Sequence, residues 1–179
     1  MAELDAGRKI IAVSNGTERA TYFLRRILGN SGIGAYTVTM AQRAVERGET
    51  VSVLLTGDAP EFPVPALSRT CVMRFEPDRQ KPPGFQNVVT YSTKWDCADF
   101  TARNIRQLPN GTTAFEIVGV GIIGRARLGE GLGGDVEAAL AAAAAAMAAG
   151  MPFAEVLKAL NGSDERIDPC SGRTEDKEC

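Results

Sequence analysis

Residues 9–28 read Lys9-Ile10-Ile11-Ala12-Val13-Ser14-Asn15-Gly16-Thr17-Glu18-Arg19-Ala20-Thr21-Tyr22-Phe23-Leu24-Arg25-Arg26-Ile27-Leu28. Lys9 to Val13 is a short β-branched run. A polar turn, Ser14 to Thr17, follows, and then apolar residues recur at Ala20, Phe23, Leu24, Ile27 and Leu28 with the spacing of one helix face. The segment predicts strand, turn, amphipathic helix, with Gly29 and Gly32 as stop signals, because glycine accepts the left-handed backbone of a helix C-terminus. A second helix is predicted over Val38–Glu46, closed by Gly48, and a strand over Thr50–Thr56. The first third therefore reads β-α-α-β, which favours buried parallel strands.

Further along, prolines at 60, 63, 65, 77, 82 and 83 mark loop around one strand-like island, Cys71 to Phe75. Asn87 to Tyr91 predicts another strand. Asp99 to Ile105 and Thr112 to Val118 flank Asn110-Gly111, a two-residue hairpin signal, and Val120 to Leu128 predicts a third antiparallel strand. Gly129 to Gly134 leads to Asp135, an N-cap type of residue, and a long alanine helix to about Ala149 stopped by Gly150. Pro152 opens a shorter helix with Phe153, Val156, Leu157 and Leu160 on one face. The expectation is an α/β fold: a mostly parallel sheet flanked by helices, with an antiparallel hairpin in the second half. One domain is expected over 1–161. Residues 162–179 are too charged to pack and are expected to form a disordered tail.

Composition narrows the chemistry. The 179 residues are 44% hydrophobic, enough for a core, and Lys plus Arg (20) nearly balances Asp plus Glu (22). No global basic field points to nucleic acid. There is no histidine, which removes the commonest neutral-pH acid/base, the serine and cysteine triads and most zinc sites. The four cysteines are scattered and read as reduced thiols, with no metal cage. Met1 to Gly7 lacks the basic start and apolar run of a signal peptide. The stretch from Ala138 to Ala149 falls short of the roughly 20 residues a membrane span needs. A cytoplasmic protein without membrane contact is the expectation.

Three places invite a ligand. At Asn15, Gly16, Thr17 and Arg19, free N–H groups at a helix N-terminus attract phosphate, although the turn has one glycine and no lysine, and a plain capped helix start is the competing reading. At Asp58, a carboxylate ends a buried strand, where open α/β sheets gather binding groups; an ordinary Asx-turn competes. At Asp135, a carboxylate follows a glycine-rich loop, with N-capping as the competing reading. Trp95, Asp96, Cys97 and Asp99 form an aromatic-acid cluster, read as a contact surface or as the loop closing the hairpin. If Lys9 to Val13 is central in a parallel sheet, with Thr56 to Asp58 at a neighbouring strand end and both facing one cleft, a residual site is allowed there; if they point apart, it is not.

In order, these pieces resemble the central, ATP-binding domain of the Mur ligase family, enzymes that join amino acids to a carboxylate through an acyl phosphate. The segment Asn87–Tyr91, Ala98-Asp99-Phe100-Thr101-Ala102-Arg103-Asn104-Ile105, Leu108–Thr112 and Ala114–Ile117 is similar to "V-x-T-Y-G … A-D-x-x-A-x-N-I … P-D-G-T-x-F". The alanine helix, Gly150-Met151-Pro152, Val156–Leu160 and Gly172-Arg173 resemble the family's next helix pair. Lys9–Leu28 resembles "I-A-V-T-G-T-N-G-K-T-T … Y-L-L … I-L", and Val53–Pro60 resembles "V-L-N-A-D-D-P".

By that resemblance the family's phosphate-loop lysine falls at Thr17 and the next threonine at Glu18. The double aspartate becomes Asp58-Ala59, and "H-N-x-x-N" falls on Gly134, Asp135 and Ala138. The segment that carries a metal-binding Glu, a carbamylated Lys and a His in the family is shortened here. The resemblance implies a Mur-ligase-like domain related to amide-bond ligases of cell-wall or poly-amino-acid biosynthesis. It implies that ATP and Mg2+ binding is weak or lost, and that the domain is either catalytically impaired or acts with a partner, a complete ligase or cell-wall enzyme. The flanking domains that bind the acceptor and deliver the amino acid have no counterpart in this sequence. A shorter likeness, Gly32-Ile33-Gly34-Ala35-Tyr36-Thr37 to Arg47-Gly48 and Thr50–Leu54, resembles the opening of a two-domain nucleotide-sugar glycosyltransferase. A non-enzymatic α/β interaction domain is the third reading.

Overall fold

The computed structural model describes residues 9–14, 17–29, 31–57, 68–130 and 135–162. Its strands are β1 (Lys9–Val13), β2 (Gly34–Thr37), β3 (Thr50–Thr56), β4 (Thr70–Arg74), β5 (Asn87–Ser92), β6 (Phe100–Gln107), β7 (Thr113–Gly119) and β8 (Ile122–Leu128). The helices are α1 (Glu18–Leu28), α2 (Val38–Glu46), α3 (Val136–Ala148) and α4 (Phe153–Asn161). All eight strands form one sheet in the order β2-β1-β3-β4-β5-β6-β7-β8. Pairing is parallel from β2 through to β6 and antiparallel from β6 to β8. The expected α/β class, with its parallel sheet and antiparallel second half, is what the chain adopts.

The alternation in β1 assigns the two faces. Ile11 and Val13 pack with α1, α3 and α4, while Ile10 and Ala12 pack with Ala41 and Ala44 of α2. Both faces of the parallel region are covered, which is why its strands read as continuous apolar runs. In β3 the alternation slips. Ile10 pairs with Val51 but Ile11 with Val53, so Ser52 is a bulge, and Val51 and Leu54 end on the same face. The Ser52 carbonyl accepts a hydrogen bond from the Ser68 hydroxyl at 3.0 Å.

Several expectations are corrected. The first third is β-α-β-α-β, because Gly34–Thr37 forms an edge strand on β1. It lacks a β-branched run and exists through its partner. Asn110-Gly111 is not a two-residue turn. Leu108 and Thr112 bracket three residues: Gly111 N–H donates to the Leu108 carbonyl (3.0 Å), Leu108 N–H donates to Thr112 (2.8 Å), and Gly111 has φ +77°. Pro109, with φ held near −65°, favours the first central position of a type I turn and moves Asn110 to the second. Trp95 lies in the link from β5 to β6, not at the hairpin. β5 and β6 are parallel with only a short link between them because they overlap by two pairs, Tyr91 with Phe100 and Ser92 with Thr101. Pro152 stands at the N-cap of α4, just ahead of the helix proper. The tail beyond Gly162 and the cysteines at 170 and 179 lie outside the described residues.

Of the two described cysteines, Cys71 is buried in β4 and Cys97 is exposed. Burial pushes the Cys71 thiol from 9.0 up to about 12. Iodoacetamide at pH 8 should therefore label Cys97 and spare Cys71 until the protein unfolds, as read by peptide mass mapping. The sign follows from linkage: the stability tied to Cys71 is fully present below pH 9 and falls as pH rises from there towards 12, since only the unfolded thiol ionises in that window.

Candidate functional site

β1 lies next to β3, and the chain beyond each runs to the same end of the sheet. There a cavity of about 340 Å³ is lined by Thr17 and Arg19 from the start of α1, Gly57 after β3, and Arg74 at the end of β4. Tyr91 of β5, Asp135 and Glu137 from the start of α3, and the methyl groups of Ala20, Ala138 and Ala141 also line it. This is the carboxyl end of a parallel sheet facing two helix N-termini, the usual position for a ligand in open α/β folds.

Of the six candidate residues, the structure brings Thr17, Arg19 and Asp135 together here. Asn15, Gly16 and Asp58 lie outside the described residues, though their neighbours Thr17 and Gly57 line the cavity. β1, second from the edge of the sheet, stands beside β3, and the described chain just beyond the two, at Thr17 and Gly57, faces one cavity.

Two expected helix caps are not formed. Asp135 occupies the N-cap position of α3, yet its carboxylate makes no cap hydrogen bond. Instead it takes Arg19 from α1 at 2.8 Å (Nε) and 3.0 Å (Nη2), with the Asp135 side chain 6% exposed. A two-pronged guanidinium contact outcompetes a single backbone N–H for a carboxylate. Thr17, at the N-cap of α1, donates its hydroxyl back to the Ser14 carbonyl at 2.7 Å.

The remaining charges are also paired. Arg74 contacts Glu137 at 3.3 Å and Glu76 at 3.2 Å. The cavity's arginines, 19 and 74, are thus each answered by a carboxylate. Sequence reading did not single out Arg74, Tyr91 or Glu137. The available signal was position, a strand end for Arg74 and the first turn after Asp135 for Glu137. A second cavity of about 160 Å³ shares Arg74 and reaches Arg79, Cys97 and Asp99. Among the described residues no cluster of three Cys, Asp or Glu could hold a metal ion, and no helix is long and apolar enough to cross a membrane.

This architecture is a Mur-ligase-like fold. The similar solved structures include MurF from Acinetobacter baumannii, at 15% identity and TM-score 0.60 over 86% of this chain. A pseudomurein peptide ligase type C from Methanothermus fervidus matches at 14% identity and TM-score 0.55 over 87% of this chain. MurF ligase from Thermotoga maritima, determined in complex with ADP, matches at 13% identity and TM-score 0.57 over 85%. The chain spans about half the length of these structures, 45%, 49% and 48% respectively. No protein-family model and no curated protein matches it.

Proposed function

We propose that the chain is a Mur-ligase-like domain, related to ATP-dependent amide-bond ligases of cell-wall or poly-amino-acid biosynthesis, that is catalytically impaired or acts beside a complete ligase or cell-wall enzyme. The observation that carries this reading is the Arg19–Asp135 pair. It ties the start of α1 to the start of α3 across the cavity and pairs the one cation that the α1 turn offers with a carboxylate, although the Arg19 side chain itself stays largely exposed. A triphosphate there would have to displace a nearly buried carboxylate from Arg19 and then lie against it. Arg74 is likewise committed to Glu76 and Glu137. Among the described residues, the donor set does not fit a magnesium-bound triphosphate. The likeness to ligases over most of the chain supports this reading over the glycosyltransferase one, which rests on a short segment.

Isothermal titration with ATP and Mg2+ tests it. The expected result is a Kd weaker than about 1 mM, equivalent to less than about 4 kcal/mol of binding free energy. Asp135→Asn, which releases Arg19 while keeping the shape, should tighten binding several-fold. A wild-type Kd in the tens of micromolar would sink the impairment. A complete nucleotide site would then have to draw on Asn15, Gly16 or Asp58.

A further inference from the structure

We infer that the outer face of β6-β7-β8 is a docking surface for an acidic segment of a partner protein, with a carboxylate seat over Ala114 between Arg106 and Arg127. This goes beyond the proposed function and does not depend on the fate of nucleotide binding. The face is defined by register. Thr101, Val118 and Ile123 form one cross-strand row, Arg103, Glu116 and Arg125 the next, and Arg106, Ala114 and Arg127 the third. The opposite face carries Phe115, Ile117, Ala126 and Leu128 and is buried in the core. The outer rows therefore place four arginines and one glutamate on a single surface, in a chain whose overall formal charge is -2.

The second row shows what the third lacks. Between Arg103 and Arg125 stands Glu116, whose carboxylate takes the Asn104 amide at 2.6 Å and Arg125 at 3.3 Å, while Arg103 turns to Asp96 at 3.0 Å. The hydrogen bond from Asn104, then that from Arg125, with the charges of Arg125 and Arg106 behind them, lowers the Glu116 carboxyl from its ordinary value. In the third row the same two-arginine frame has a methyl group at its centre. Arg106 and Arg127 are exposed, and neither is within ion-pair distance of a carboxylate among the described residues, although Arg106 lies near enough to Glu116 of the second row for its charge to help lower that carboxyl. Their backbones stand two strand spacings, about 10 Å, apart, a span that two arginine side chains bridge around one carboxylate.

Two further features argue for a protein occupant on the face. Beside the charged rows, Ile123 is 68% and Val120 94% exposed, which offers apolar contact that a bare phosphate backbone would not use. The edge of β8 is closed at this level. The Asn161 side chain accepts from Arg127 N–H at 2.8 Å and donates to the Arg125 carbonyl at 3.0 Å, so strand addition is blocked there and the face stays open.

The test uses the full chain, at 150 mM salt, with a fluorescein-labelled twelve-residue peptide of alternating glutamate and leucine as probe. The expected result is binding in the tens of micromolar, weakened at least tenfold by Arg106→Ala with Arg127→Ala. It should weaken equally with Ala114→Glu, which installs the missing carboxylate in place. Arg43→Ala, the same kind of charge loss on exposed α2, should leave binding unchanged. Thermal melts establish that each variant is folded. Three results would overturn the proposal: no peptide binding, equal loss in the Arg43 variant, or single-stranded DNA of matched charge binding as tightly as the peptide. Binding that appears only after the acidic residues of 163–179 are changed to amides would also overturn it, by making the chain's own tail the occupant.

Discussion

Replacing Ala143 with leucine is expected to destabilise the protein by about 2–3 kcal/mol, the upper part of the range for overpacking a filled core. For a chain of this size that is a fall of about 5–10 °C in Tm. The reason lies in how α3 is placed. From Ala139 to Ala146 the helix is at most 2% exposed all the way round, with the sheet on one side and α1 and α4 on the other. An ordinary surface helix keeps one polar face, whereas this one has none after its first turn. Methyl groups let the layers close, and close-packed interiors leave no room for three more carbons. Ala148, near the end of the same helix, is only partly buried, and Ala148→Leu should change Tm by no more than 2 °C or so. Equal melting points for the two variants would show that the α3 layer is loose.

The same helix illustrates what the sequence could and could not disclose. Alanine is a strong helix former, so its boundaries were legible to within a residue, as were those of β1, α2 and β3, where local pattern and burial agree. The features that escaped all depend on residues far apart in the chain. β2 is a strand because Ile10 to Val13 stand beside it. The Ser52 bulge becomes visible only against β1.

In the candidate site, Thr17, Arg19 and Asp135 could be suspected singly, because each sits at a helix start. Their convergence could not, since Arg19 and Asp135 are 116 positions apart and each had a sufficient local explanation. The arginine face escaped for the same reason. Net charge averages over the chain, whereas cross-strand register concentrates it.

Removing the carboxylate of Asp99 is the other change expected to have a large effect, a loss of about 2–4 kcal/mol for Asp99→Ala. Asp99 precedes β6 and does the work that a longer parallel ladder would otherwise do. Its Oδ2 accepts from both the Thr90 N–H (2.7 Å) and the Thr90 hydroxyl (2.8 Å), and the Thr90 Oγ1 accepts the Asp99 N–H (3.0 Å). Since β5 and β6 overlap by only two residue pairs, this three-bond clasp supplies much of what holds the antiparallel extension to the parallel sheet. Thr90 is 8% exposed, so deleting the acceptor strands a nearly buried N–H and hydroxyl, at about 1–3 kcal/mol for each group left unsatisfied. Thr90→Val removes the hydroxyl but keeps the charged N–H bond, and should cost about 1 kcal/mol, the ordinary net worth of a hydrogen bond. The double variant should cost less than the sum of the two singles, because both remove the same bond. Chemical denaturation of the four proteins reads this coupling directly. Strict additivity would mean that Asp99 and Thr90 act separately, and that the junction between the two halves of the sheet is held by the packing of Tyr91 and Phe100 instead.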